Sequence, residues 1–220
     1  MKRVLDARDA GFADAFTRLI AARGARLDEA EDAARSIVRA VREGGLPAVL
    51  DFVKRFDGVE LTEKNLRVTP AEIDKAVDAC PRDLLTALER AAERIAIFHH
   101  RERPQDGGFI DEVGVSLGWR WSAVDSAGLY APGGLAAYPS SVLMNAIPAK
   151  AAGVARLAMA TPPARLFENP AILAAAKVAG VDEIWKIGGA HAIAALAFGA
   201  GPLKACDVVV GPGNAYVAAA

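Results

Sequence analysis

Over the first hundred residues, apolar positions recur at intervals of three and four, the period of a helix that buries one face. In "LDEAEDAARSIVRAVREGG" the residues Ala30, Ala33, Ala34, Ile37, Val38 and Val41 share a side, and Gly44-Gly45 ends the pattern. "TPAEIDKAV" predicts a second helix, because Thr69 and Glu72 form a capping box and Pro70 takes the first helical position. "PRDLLTALERAAERIAIFHHRER" predicts a third, with Leu84, Leu88, Ala91, Ile95 and Phe98 on one stripe and Pro104 beyond its end. His99 falls on that stripe and reads as a hydrogen-bonded core residue; His100 points off it toward solvent. "FIDEVGVSLGWRWSAVDSAGLY" then predicts extended strands with a turn.

After Gly128 the period changes. "SAGLY" ends in "APGG", and "SSVLMNAIPAKAAG" follows as a helix opened by Ser140 or Ser141. "RLAMAT", "EIWKI" and "DVVV" read as short strands. Between and after them, "NPAILAAAKVAG" (Asn169 as cap, Pro170 at its first position), "GGAHAIAALAFG" and "GPGNAYVAAA" read as helices. Strands alternating with helices of this length predict βαβ units and a parallel sheet. "AAGVARLAMAT" (151–161) and "VAGVDEIWKIG" (178–188) form a weak internal repeat, each leaving a helix at a glycine and entering a strand. Gly153 and Gly180 are suited to that exit, since glycine takes the left-handed conformation without strain.

The apolar stretch from Gly128 to Val154 has no charged side chain before Lys150, which raises the question of a membrane span. Spanning takes about 20 apolar residues in unbroken helix. Pro132, Pro139, Pro148 and the pair Gly133-Gly134 divide this stretch into pieces too short for that. Composition agrees with a soluble globular protein: 220 residues, 53% hydrophobic, 24% charged, net charge −1. That balance offers no electrostatic attraction for nucleic acid or an anionic membrane. Cys80 and Cys206 lie far apart in no CxxC pattern, and the start "MKRVLDARDAGF" has no apolar signal core, so a cytoplasmic location is expected.

Strand-to-helix turns occur at "YAPGG" (130–134), "IGGAH" (187–191) and "VGPGN" (210–214). In a parallel sheet all of them stand at the carboxyl ends of strands, where open α/β folds bind ligands. Glycine lets backbone approach a ligand, and each helix start offers free N–H groups and about 0.3–1 kcal/mol toward an anion. Glycine also serves βα turns that bind nothing, and none of these loops completes G-x-G-x-x-G.

These loops carry a resemblance. "GLYAPGGLAAYPSSVLMNAIPAKAAGV", "GVDEIWKIGGAHAIAALAFG" and "VVGPGNAYVAAA", with "LGWRW" and "FHHRE", are similar to signature segments of the histidinol dehydrogenase family. The match is dense over 117–220 and looser before it. The resemblance implies an α/β fold: a Rossmann-like parallel-sheet unit over 120–220, preceded by a mainly helical region, 1–119, with a short β-hairpin. It implies a cytoplasmic, homodimeric, zinc-dependent enzyme that oxidises L-histidinol through the aldehyde to L-histidine with NAD. By motif the NAD contacts fall on Tyr130, His191 and Asn214, with Gly133, Gly134, Gly188, Gly189 and Gly213 forming the loops around them.

Each of these side chains has a plainer role open to it: strand-end packing for Tyr130, N-capping for Asn214. His191 departs from the family, which usually has glutamine there; imidazole donates at one nitrogen and accepts at the other, so it partly replaces an amide. Leu135 is a second departure, where the family often has Thr or Ser. Family members are about twice as long, and their zinc ligands, substrate contacts and Glu-His general bases have no counterpart here. The expectation is an N-terminal portion that lacks catalytic and metal residues and is inactive alone. A related dehydrogenase of another small alcohol and a non-catalytic dinucleotide-binding module are the competing readings. The sequence does not distinguish NAD from NADP.

Overall fold

The computed structural model describes residues 5–133 and 138–220, with the side chains of 22–26 and 165 outside that description. Helix α1 (Phe12–Phe52) runs past the stop predicted for it. Gly45 does break it, at φ 57° and ψ −139°, and Pro47 follows, so the helix kinks and resumes. A wide π-helical turn, Val53–Asp57, closes the segment at Gly58, whose φ of 68° is left-handed.

Helix α2 (Pro70–Ala79) starts with the predicted capping box: the Glu72 N–H donates to Thr69 Oγ1 at 3.2 Å and the Thr69 N–H to Glu72 Oε2 at 2.7 Å. Helix α3 (Arg82–Glu102) buries Leu88 on its stripe, while Phe98 near its end is exposed. His99 is only partly buried there and lies 2.9 Å from Glu102 Oε2, and His100 is exposed. Strands β1 (Gly107–Ile110) and β2 (Ser116–Trp119) form an antiparallel hairpin that is largely exposed.

The sheet is parallel, with β3 (Ser126–Tyr130), β4 (Arg156–Thr161), β5 (Glu183–Lys186) and β6 (Val208–Val210) in the order β5-β4-β3-β6. The connecting helices are α4 (Pro139–Ala152), α5 (Ala171–Val178) and α6 (Gly189–Phe198), and α7 (Ala215–Ala219) follows β6. Helix α4 begins at Pro139, ahead of the serines read as its caps, and has no side-chain cap; a proline at the first position needs no partner for its nitrogen. Asn169 does cap α5, its Oδ1 accepting from the Ala171 N–H at 3.0 Å. The repeat glycines leave their helices at φ 96° (Gly153) and 70° (Gly180).

Alternation along the strands sends side chains to two cores. Leu129, Leu157, Met159 and Ile184 pack with α2, α3, α4 and α5 on one face. Ala158, Ala160, Trp185 and Ile187 pack with α1 and α6 on the other, joined by Val217 of α7. The molecule is thus mixed α/β, with helices on both faces of a parallel sheet. Among the described residues no helix is long and apolar enough to cross a membrane.

Candidate functional site

The carboxyl ends of β3, β4 and β5 and the start of α7 surround a cavity of about 820 Å³. Tyr130, the last residue of β3, is buried in its wall. Its hydroxyl accepts the Gly189 N–H at 3.1 Å, tying the end of one strand to the first residue of α6. Burial pushes that hydroxyl above its ordinary value; the Gly189 bond pulls it down and the Asp57 carboxylate pushes it up again. Tyr130 therefore keeps its proton near neutrality and is able to donate it in a hydrogen bond.

Gly188 and Gly189 form the turn from β5 into α6, with Gly189 at φ 60°. An atom placed where a Cβ of Gly189 would stand lies 3.4 Å from His191 Nδ1 and 3.5 Å from its Cε1. Glycine suits this turn because its φ is left-handed, and a side chain would stand against the imidazole. Asn214 caps α7, its Oδ1 accepting the Val217 N–H at 3.1 Å, and it lines the cavity as well.

The structure thus brings Tyr130, Gly133, Gly188, Gly189, His191 and Asn214 to one cavity. Gly213 is not among the lining residues; a Cβ there would overlap the Val217 side chain, so its bareness serves the packing of α7. Gly134 and Leu135 lie outside the described residues.

The rest of the lining comes from the other end of the chain. Ala33 and Ile37 of α1 and Arg55, Phe56 and Asp57 of the π-helical turn line it. No motif pointed to them. "RFDGV" reads as an ordinary Asp-Gly turn, and nothing local says that it faces glycine loops far along the chain.

His191 is the most constrained of the group, with a side chain 2% exposed. Phe52 and Phe56 flank its ring at centroid distances of 5.7 and 5.9 Å. Its Nε2 is 3.8 Å from Asp57 Oδ2, too far for a hydrogen bond. Both ring nitrogens and Asp57 Oδ2 are buried without a hydrogen-bond partner. An unmet buried polar group costs about 1–3 kcal/mol, so three together mark a place where a partner belongs. Among the described residues no cluster of three His, Cys, Asp or Glu side chains is placed to hold a metal ion.

The profile of the histidinol dehydrogenase family matches residues 21–220. The chain belongs to the histidinol dehydrogenase family. It is 51% identical to the histidinol dehydrogenase of Caulobacter vibrioides over 212 residues, which is 96% of this chain and 49% of that one. It is also 51% identical to that of Ruegeria pomeroyi over 220 residues, all of this chain and 51% of the relative. Among solved structures, the histidinol dehydrogenase of Elizabethkingia anophelis superposes with a TM-score of 0.79 at 33% identity, covering 86% of this chain and 43% of that one. The chain spans about half the length of the curated relatives it matches. Membership of this oxidoreductase family accounts for the dense run of loop motifs over 117–220.

Proposed function

We propose that this chain is the N-terminal, dinucleotide-holding portion of an NAD- and zinc-dependent histidinol dehydrogenase, oxidising L-histidinol through the aldehyde to L-histidine. The observation that carries the reading is the convergence of Tyr130, His191 and Asn214 on one cavity. The strand order supports it. In chain order the sheet runs 3-2-1-4, the order of the first four strands of a Rossmann-type sheet, and such sheets take ligands at strand carboxyl ends beside the point where the order reverses. Residues 120–220 are then the nucleotide-binding unit, and 1–119 lend it a wall through α1 and the turn at Asp57.

The residues fit a dinucleotide. About 820 Å³ is within the range of cofactor sites, and the walls are mainly apolar with a few polar groups, as such sites are. The cavity and the unmet atoms of His191 and Asp57 give a ligand both room and partners. Bound NAD supplies the hydride acceptor. Tyr130 holds the α6 start through its hydroxyl oxygen and offers its proton to a ligand oxygen. Asn214 commits its carbonyl oxygen to the α7 cap, which leaves its amide N–H groups as donors. The described residues do not fit zinc, having no cluster of His, Cys, Asp or Glu side chains to hold it. With the resemblance come the cytoplasmic setting and the homodimer.

Titrating the purified chain with NAD by calorimetry tests the reading. Saturable binding is expected, weakened about tenfold in Asn214→Ala, with no NADH formed from histidinol by the chain alone. No saturable binding, or binding indifferent to Asn214→Ala, refutes it.

A further inference from the structure

His191 and Asp57 meet across the cavity wall from opposite halves of the chain, and the loop motifs explain only one of them. Asp57 has a side chain 12% exposed, and its Oδ2 has no hydrogen-bond partner. An ionised aspartate only accepts, so it asks for a donor, and Nε2 of His191 stands 3.8 Å away. A neutral imidazole carries one N–H. If Nε2 bears it toward Asp57, Nδ1 is left with a bare lone pair. That lone pair is buried and unmet on a side chain that lines the cavity. Such pairs are commonly long before a ligand arrives and tighten in the complex. Closing by slightly under an ångström would meet Nε2 and Oδ2 together, which leaves Nδ1 for a donor from the ligand.

We propose that Asp57 is a positioning residue: it holds the His191 imidazole with its proton on Nε2, so that Nδ1 accepts a hydrogen bond from a donor group of the bound dinucleotide. The proposal rests on the cavity being the cofactor site. The donor is a nucleotide N–H or O–H, from the carboxamide or a ribose hydroxyl. In this role the histidine does as an acceptor what the carbonyl end of a glutamine amide does. Among the described residues, the other titratable and charged groups on the cavity are Arg55, Tyr130 and Tyr216. Arg55 lies over the Phe56 ring at 5.2 Å, and the Tyr130 hydroxyl is engaged with Gly189, so neither displaces Asp57 as the partner of Nε2.

Nitrogen-15 NMR of the histidine side chains tests this at mildly alkaline pH, with His191→Gln used to assign the signals. The expected result for the free chain is His191 protonated at Nε2 and bare at Nδ1. In Asp57→Asn the amide is able to donate to Nε2, so the proton is expected to move to Nδ1, and NAD to bind about tenfold more weakly. His191→Leu is expected to lose as much, and His191→Gln to bind within a few-fold of the unsubstituted chain. With nicotinic acid adenine dinucleotide, a persisting His191→Leu penalty assigns the donor to a ribose hydroxyl and its disappearance to the carboxamide. A proton found on Nδ1 of the unsubstituted chain overturns the proposal, whether or not NAD binds. So does an Asp57→Asn variant with unchanged tautomer and unchanged affinity. Absence of NAD binding with the expected tautomer instead sinks the cofactor reading and leaves Asp57 as the residue that orients His191.

Discussion

Replacing Glu72 by glutamine removes one charge from a pair that joins α2 to the end of β5. Lys186 is the last residue of β5, directly before Ile187 and the glycine turn of the cavity, and its side chain is only 8% exposed. Its Nζ is 2.8 Å from Glu72 Oε1 and 5.0 Å from the Phe167 ring centroid. Glu72 is 33% exposed and also caps α2 through the Thr69 N–H. Breaking a buried pair by removing one partner costs about 3–5 kcal/mol. Partial solvation of the glutamate lowers that to about 2–3 kcal/mol here. Glutamine retains an oxygen for the Thr69 N–H, so little of the loss comes from the cap. Lys186→Met leaves a carboxylate that water reaches, and is expected to cost about 1 kcal/mol. In the double variant no lysine is stranded, so it should be more stable than the sum of the single losses by about 1.5 kcal/mol. Urea unfolding followed by circular dichroism at neutral pH measures all members of the cycle. Additivity of the two substitutions within about 0.5 kcal/mol would refute the idea that the pair acts as a unit.

Acid should destabilise the fold through the same residue. Burial raises the Glu72 carboxyl, but the bonds from Lys186 and Thr69 outweigh it and hold it below its ordinary value of 4.5. Asp207 is held below 3.8 by the side-chain and backbone hydrogen bonds of Ser126. A carboxyl lowered in the folded state contributes stability that is present above its ordinary value and lost as pH falls through its folded one. Urea midpoints should therefore drop as the pH is taken below 4.5, less steeply in Glu72→Gln; an unchanged pH slope in that variant contradicts the assignment. Gly211→Ala should lower the melting temperature by several degrees, because φ there is 147° and a Cβ would overlap the Tyr130 carbonyl oxygen. Calorimetric scans showing no change would mean that β6 and β3 do not approach as closely as described.

Much of this architecture follows from rules that reach only a few residues along the chain. Thr69, Pro70 and Glu72 specify a helix start among themselves, and Gly153 and Gly180 specify exits because no side chain blocks the left-handed turn. The alternation of strands and helices after Gly128 likewise implied a parallel sheet, and with it glycine turns sharing one edge. Where a local signal competed with its surroundings it was less exact. The Gly44-Gly45 stop became a kink, since the chain beyond it still had an apolar face to bury, and Val49 and Val53 are fully enclosed. Only the tertiary structure decided that the turn after α1 closes the cavity, that the Tyr130 hydroxyl receives the Gly189 N–H, and that Glu72 reaches Lys186 from 114 positions away. The same holds for Asp57 and His191. Periodicity and capping are written in neighbouring residues, whereas a meeting of distant side chains depends on how the helices stack on the sheet, which no short stretch of sequence encodes.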